Sequence, residues 1–484
     1  MNKVIKFVPA MIALALAGCS QSSDLTGEDQ ANTNKQEVKI PVNMTTYQAR
    51  ANVQGRAGTA GSINSVDDLV AKGGFGVFAY QTGSKDYSAA QTEFYPDFMY
   101  DQRVSGTASS DGSSYTWDYT PKKFWPNDNT VADNSTNNAT GVKNTGKVSF
   151  FAYAPYVATS DATKGTVEDA TSGITGFSAN GTNGDPTVSY TLPSDGNVVD
   201  LLWGTAGSNG TTTNGTAQAG KTLSGGKGAV NVDLTKMKTD GKIQFVFKHA
   251  LAKLGGKSSG DDVSGLLIKA DPDIDIKDQL GTKGPTKITV TDITITTDQP
   301  GTDGNLVAQS LVNSGIFNLA TGVWTAGKAE TGTVKTEITN SKDKGNAVLA
   351  DAIAEPATVS SFDNLPAGVT ETSQNVYKEE TNPMIFIPGS TLPKLYVTIT
   401  YTVRTKDENV KNGFTSTVNV ISKVIDFNSK TVELNKRYTL TLILGLTSVK
   451  FEATVSDWEK AESGTDTKTV DNTDVYLPIN VKDA

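Results

Sequence analysis

From Leu395 to Val403 every second residue is large and apolar: Leu395, Val397, Ile399, Tyr401 and Val403 alternate with Tyr396, Thr398, Thr400 and Thr402. A period of two sends successive side chains to opposite faces, so this run can only be a half-buried β-strand. Tyr438, Leu440, Leu442 and Leu444 repeat the pattern. After a break at Gly445-Leu446-Thr447, Val449, Phe451, Ala453 and Val455 repeat it again. Ile288 and Val290 share one parity and Ile293 and Ile295 the other, which predicts a bulge or strand break near Asp292. Gly74–Tyr80 and Lys147–Tyr156 read as further strands, and Ile385-Phe386-Ile387-Pro388-Gly389 as a strand ending in a turn. Only residues 64–72 carry a helical signal, with Ser65 as cap and Val66, Leu69 and Val70 on one face. Residues 157–235 read as mostly loop, broken by Val188–Leu192 and Val198–Trp203. With 46 Gly and only 6 Met, the chain favours strands and turns, and polar turns between strands predict antiparallel sandwiches.

The first residues carry a different signal. Lys3 and Lys6 precede a short apolar run, Phe7–Ala17, which is too short to span a bilayer and reads as an export signal. Leu16-Ala17-Gly18-Cys19 follows, and Cys19 is the only cysteine. The sequence resembles the bacterial lipobox, which implies cleavage after Gly18, lipid on the Cys19 thiol and an outer-membrane anchor built from several acyl chains. Residues 1–18 are then signal peptide, and 484 − 18 = 466 residues remain, enough for two or three domains. Losing Lys3 and Lys6 takes the net charge from −9 to −11, a poor balance for gripping phosphate backbones, so nucleic acid is not an expected partner. No disulfide can form within a chain whose one thiol is lipidated. Stability has to come from packing and sheet hydrogen bonds.

Residues 20–36 are polar and mildly acidic, and read as a flexible tether. Val38, Ile40, Val42 and Met44 then alternate with Lys39, Pro41 and Asn43 in a strand with one apolar face, and Pro41 places it at a sheet edge or a special position. Arg50 and Arg56 lie in the loose Gly/Ala stretch that follows.

Several aromatic motifs recur in a fixed order: Gly76-Val77-Phe78-Ala79-Tyr80, Trp117-Asp118-Tyr119 leading to Phe124-Trp125-Pro126, Phe150-Phe151-Ala152-Tyr153-Ala154-Pro155-Tyr156, Asp200-Leu201-Leu202-Trp203, and Phe245–Leu251. With the lipobox, this series is similar to the fimbrillin-like surface lipoproteins of Bacteroidetes over about residues 57–325 and 430–458. The resemblance implies an all-β fold of two tandem transthyretin-like antiparallel β-sandwich domains behind a flexible, lipidated N-terminal segment. The expected divisions are a tether and N-terminal strand at 19–56, a first sandwich at 57–240 and a second at 241–484. It also implies a pilin, tip or anchor subunit of a cell-surface fimbria, whose partners are other copies or related subunits and a trypsin-like processing protease. Host or bacterial surface ligands would be the targets of adhesion. Arg56, loosened by Gly55 and Gly58, is the preferred cleavage site, with Arg50 the alternative.

The sequence also offers chemical motifs, each with a plainer reading. Gly215-Thr216-Ala217-Gln218-Ala219-Gly220-Lys221-Thr222 matches a P-loop by letter, but no strand feeds it and no helix follows. Ser224–Lys227 and Ser341–Lys344 match Ser-x-x-Lys in loop sequence. His249 is the only histidine, so a Ser-His-Asp triad would have to use it; the expectation is a structural residue at a strand end. Histidine and cysteine counts exclude a zinc site built from several of them, and Asp271–Asp275 lacks the glycine and distal glutamate of an EF-hand. Trp117, Trp125, Trp203 and Trp324 are either stacking platforms for sugars or core. No catalytic residue, metal or cofactor is expected.

Three readings follow. The first is a non-enzymatic pilin that polymerises by strand exchange. The second is a lipid-anchored binder of glycan or host ligand that stays monomeric. The third is an enzyme acting on glycans. The first draws on a second short stretch, Val475-Tyr476-Leu477-Pro478-Ile479-Asn480-Val481, which matches Val38–Met44 at its Val, Pro and Asn positions and in its alternation. Val475, Leu477, Ile479 and Val481 are expected to fill, in a neighbouring subunit, the pockets that Val38, Ile40, Val42 and Met44 vacate.

Overall fold

The computed structural model describes residues 41–47, 63, 65–126 (save 91 and 113), 146–207 (save 172 and 194–198), 209, 218–235, 242–254, 266–272, 284–300, 306–307, 310–331, 337–341, 360–376 (save 366–367), 384–457 and 475–483. These build an all-β protein, and residues 39–484 cluster as one unit.

The central sheet runs Met44–Tyr47, Ile243–His249, Leu202–Ala206, Lys147–Ala154, Phe75–Gly83, Met99–Ala108, Tyr115–Asp118, with Ala229–Leu234 also on the edge of Lys147–Ala154. Its middle strands are buried on both faces, which is why their sequences are apolar throughout rather than alternating. One face, with Phe78, Tyr80, Phe151, Tyr153 and Trp203, packs on a four-stranded sheet of Ile174–Phe177, Thr187–Thr191, Ser314–Asn318 and Val323–Ala326. The other face, with Met44, Phe75, Val77, Phe150, Phe245 and Phe247, packs with Val42, Ile63, Leu69 and Trp125. Gly76 is needed because Tyr153 lies over it: a Cβ there would meet the ring at 2.2 Å.

The second sandwich packs a sheet of Gln374–Asn375, Leu266–Ala270, Lys436–Leu444, Ala252–Leu254 and Met384–Phe386 against one of Glu337–Ser341, Thr286–Thr296, Leu395–Lys406, Phe414–Asp426 and Asn480–Asp483. Val449–Asp457 pairs with Lys436–Leu444 and carries Val475–Leu477 on its outer edge. The bulge expected near Asp292 falls between Val290 and Asp292 within the single strand Thr286–Thr296, and lets both apolar parities face the core. The short helix spans Val66–Ala71, and Ser65 Oγ accepts from Asp68 N at 3.1 Å.

Two expectations need correction. Residues 157–235 are richer in strands than their loop-like composition indicates, since Ile174–Phe177 and Ala229–Leu234 also pair. Residue 240 is not the seam. Ile243–His249 hydrogen-bonds to Leu202–Ala206 in the first sandwich, and the hairpin Ser314–Ala326 returns to that sandwich from the second half of the chain. Trp203 Nε1 donates to Leu319 O at 2.8 Å and Trp324 Nε1 to Ala250 O at 2.6 Å. Gly322, at φ +70°, lies against the Trp203 ring, where a Cβ would come within 2.4 Å. The aromatic partners that hold this hairpin are scattered in sequence, so no local pattern announces it.

Candidate assembly strands

The N-terminal strand is the outermost strand of the central sheet. Pro41 forms an antiparallel bridge with Phe124, and Val42 N donates to Lys123 O at 2.9 Å. The chain then changes partner. Ile243 N donates to Asn43 O at 2.9 Å, and Met44–Tyr47 runs parallel to Ile243–Val246. Proline cannot donate to a ladder, and Pro41 sits in the short pairing with Phe124, two residues before the chain takes its new partner. Val42 is fully buried and Met44 is 4 % exposed. Burying the two contributes about 3–6 kcal/mol before entropy costs. Tyr119 adds a polar clasp, its phenol donating to Val42 O at 2.7 Å. Burial pushes that phenol up to about 12, so it stays protonated and donating.

The C-terminal segment lies on the second sandwich of its own chain. Val475–Leu477 pairs antiparallel with Val449–Asp457, Leu477 facing Ala453. Asn480–Asp483 pairs antiparallel with Phe414–Asp426 in the opposite sheet. The single strand expected over 475–481 is therefore two short strands on two sheets, with Pro478 at the corner. The expected common face is broken accordingly. Leu477 is buried in the core and Ile479 packs against it, while Val481 is 40 % exposed. Asn428, held at φ +53° in a turn, secures the corner: its Nδ2 donates to Pro478 O at 2.9 Å and its Oδ1 accepts from Asn480 Nδ2 at 2.6 Å. Lys423 pairs with Asp483 at the end of the segment.

The two segments match in a way their sequences only hint at. In each, the second pairing starts at the asparagine or the residue after it; Pro478 stands between its two pairings, whereas Pro41 lies within the first, which Val42 still continues. Sequence reading missed Tyr119 and Asn428, whose clasping roles come from distant contacts; only the left-handed turn chemistry of Asn428-Ser429 leaves a local trace. Cys19, Arg50, Arg56, Val38 and Ile40 lie outside the described residues.

The other motifs resolve into structure. Residues 215–217 of the P-loop look-alike lie outside the described residues; Lys221–Thr222 is a short strand, and Lys221 Nζ pairs with Asp233 at 2.8 Å. Ser224 sits in a turn closed by Gly226 N to Leu223 O at 2.8 Å, and Lys342–Lys344 lie outside the described residues. His249 Nδ1 meets Asp200 Oδ2 at 2.6 Å, and that oxygen also accepts from Ile63 N at 3.1 Å. Both side chains are buried, so the pair ties three segments together and offers no surface to a substrate. Asp271 pairs with Lys450 at 2.7 Å, and residues 273–275 lie outside the described residues. Trp125, Trp203 and Trp324 are buried and Trp117 tilts against Phe75 at 5.2 Å, so these rings are packing rather than sugar platforms.

No protein-family model matches the chain. A curated protein of Phocaeicola vulgatus, fimbrium subunit Fim1C, is 26% identical over 463 residues, covering 94% of this chain and 95% of its own. The chain is thus similar to a fimbrium subunit along nearly its whole length. The crystal structure of a fimbrial protein from Bacteroides vulgatus shares its fold, with a TM-score of 0.51 at 21% identity, over 87% of this chain and 99% of that one. In this shared fold the two candidate strands hold the outer edge of the central sheet and two edges of the second sandwich.

Proposed function

We propose that this chain is a structural, non-enzymatic subunit of a cell-surface fimbria that contributes to adhesion and polymerises by strand exchange. The observation that carries this reading is the N-terminal strand: it is an edge strand, its Val42 and Met44 fill the core, and Arg50 and Arg56 lie between it and the first sandwich. Cutting at Arg56, or at Arg50, severs the strand's covalent link and leaves its noncovalent docking alone to hold it. Removing residues 19–56 subtracts Asp24, Glu28, Asp29 and Glu37 against Lys35, Lys39, Arg50 and Arg56, so the net charge is unchanged. The cut therefore acts through structure and through loss of the lipid on Cys19, which holds the precursor in the outer membrane.

The vacated edge offers the Ile243–Val246 backbone and the pockets of Val42 and Met44. A neighbour's Val475–Val481, aligned on its proline, brings Ile479 and Val481 to those pockets, while Leu477 and Val475 align in sequence with Ile40 and Val38. Backbone hydrogen bonds give the affinity and the side chains give the register. Partners are thus other copies of this chain or related subunits, and a trypsin-like protease. The test is Leu477→Asp with Ile479→Asp in a chain that is exported and cut. Detergent-resistant ladders should disappear; ladders at wild-type levels refute the exchange. The anchor is tested separately: Cys19→Ala should abolish labelling by a fatty-acid probe, and equal labelling of the variant rules the anchor out.

A further inference from the structure

Strand Phe414–Asp426 is the outer strand of its sheet, and Asn480–Asp483 covers only residues 423–426. Among the described residues nothing pairs with the outer edge of residues 414–422. A nine-residue stretch, Phe414-Thr415-Ser416-Thr417-Val418-Asn419-Val420-Ile421-Ser422, is left with unpaired backbone donors and acceptors along one side. Exposed edges are ordinarily blunted by charge, proline or a bulge. This one has no charged residue, no proline and no glycine, and its register with Leu395–Lys406 runs without a shift. Its outward face carries Val418 and Val420, each 64 % exposed.

We propose that this edge is a homotypic docking surface, on which two copies of the chain pair antiparallel through residues 414–422 about a two-fold axis at Val418. Both ends of the edge are blocked, and that sets the register. At one end the turn closed by Asp407 N to Gly413 O, with Gly413 at φ +73°, carries the chain away. At the other, Asp483 already occupies the place opposite Lys423. An antiparallel partner that fills the edge sets Phe414 against Ser422, Ser416 against Val420, and Val418 against the same residue of the second copy. The occupant is a second copy because the edge is uncharged: pairing with itself brings no like charges face to face, and it offers nothing for a charged foreign strand to recognise. The closed pairing of one patch with itself is the usual geometry of a two-fold dimer. This association joins subunits side by side, needs no N-terminal cut, and takes its register from the C-terminal strand stowed on its own chain.

Disulfide trapping tests it. In the full-length chain carrying Cys19→Ser, an introduced cysteine is the only thiol. Val418→Cys brings two thiols face to face across the axis, within the Cα separation a disulfide spans. Val420→Cys leaves them about 14 Å apart, too far to bridge. Both sites are exposed, so the fold should survive either change, which far-UV circular dichroism verifies. Under a mild oxidant, covalent dimer from Val418→Cys and none from Val420→Cys supports the interface. No dimer from Val418→Cys, or equal yields at the two positions, overturns it; the former is also the outcome if the edge takes a strand from a different protein.

Discussion

Asn428→Gly should speed the proposed assembly without touching either candidate strand. Asn428 grips the corner of the C-terminal segment through Pro478 O and the Asn480 amide, a grip that the proposed donation would have to release. Its φ of +53° suits glycine, so the turn keeps its shape after substitution. Both hydrogen bonds are solvent-exposed, so each belongs at the low end of the usual net range and the pair is worth about 1 kcal/mol. Losing it raises the population of the undocked segment about fivefold. Hydrogen exchange across residues 475–483, and at the Ala453–Val455 amides they cover, should quicken by a similar factor. The rate of ladder formation after tryptic cutting should rise with it. Unchanged exchange in 475–483, or slower assembly despite quicker exchange, would show that stowing does not compete with donation.

Further outcomes follow from single sites. Arg50→Ala with Arg56→Ala should leave the precursor uncut and unpolymerised, read as intact mass and absence of ladder; polymer from that variant contradicts maturation at these residues. Trp324→Ala removes a buried ring and leaves the Ala250 carbonyl without its donor, so it should cost about 3–5 kcal/mol, and urea unfolding should still show one transition because the ring joins both halves of the chain. Asp101 accepts from Tyr153 and Thr159, yet burial lifts its carboxyl to about 6. A carboxyl raised in the folded state stabilises below its unfolded value near 4 and loses that contribution as pH rises through about 6. The stability cost of Asp101→Asn should therefore grow by about 2 kcal/mol between pH 7 and pH 4, measured by urea titration; a cost independent of pH would remove Asp101 as the source.

What the sequence shows directly is whatever depends on neighbours along one strand. The alternation of Leu395–Val403 and the parity switch across Asp292 translate directly into strands and a bulge, because pleating alone sets them. The helix at Val66–Ala71 was legible from its cap for the same reason. The hairpin Ser314–Ala326 was not, since its membership of the first sandwich depends on Trp203 and Ala250, more than sixty residues away. The two candidate strands were half legible. Alternation and the shared proline mark them as related edge strands, but proline says only that an N–H is missing. Whether the chain runs straight past it or turns to a new sheet is decided by partners such as Asn428 and Phe124, and these differ between the two segments.

The central claim is that a neighbour's C-terminal segment takes the place of Val38–Met44. Val481 aligns with Met44, and Met44 lies opposite Ile243. Ile243→Cys with Val481→Cys, in a chain cut at Arg56 and so free of Cys19, places the two thiols across a strand pair only between subunits, at a spacing of about 5 Å that a disulfide spans. A disulfide-linked ladder that needs both cysteines and the cut is expected on non-reducing gels. Polymer that forms with both cysteines present but carries no disulfide between these positions would contradict it.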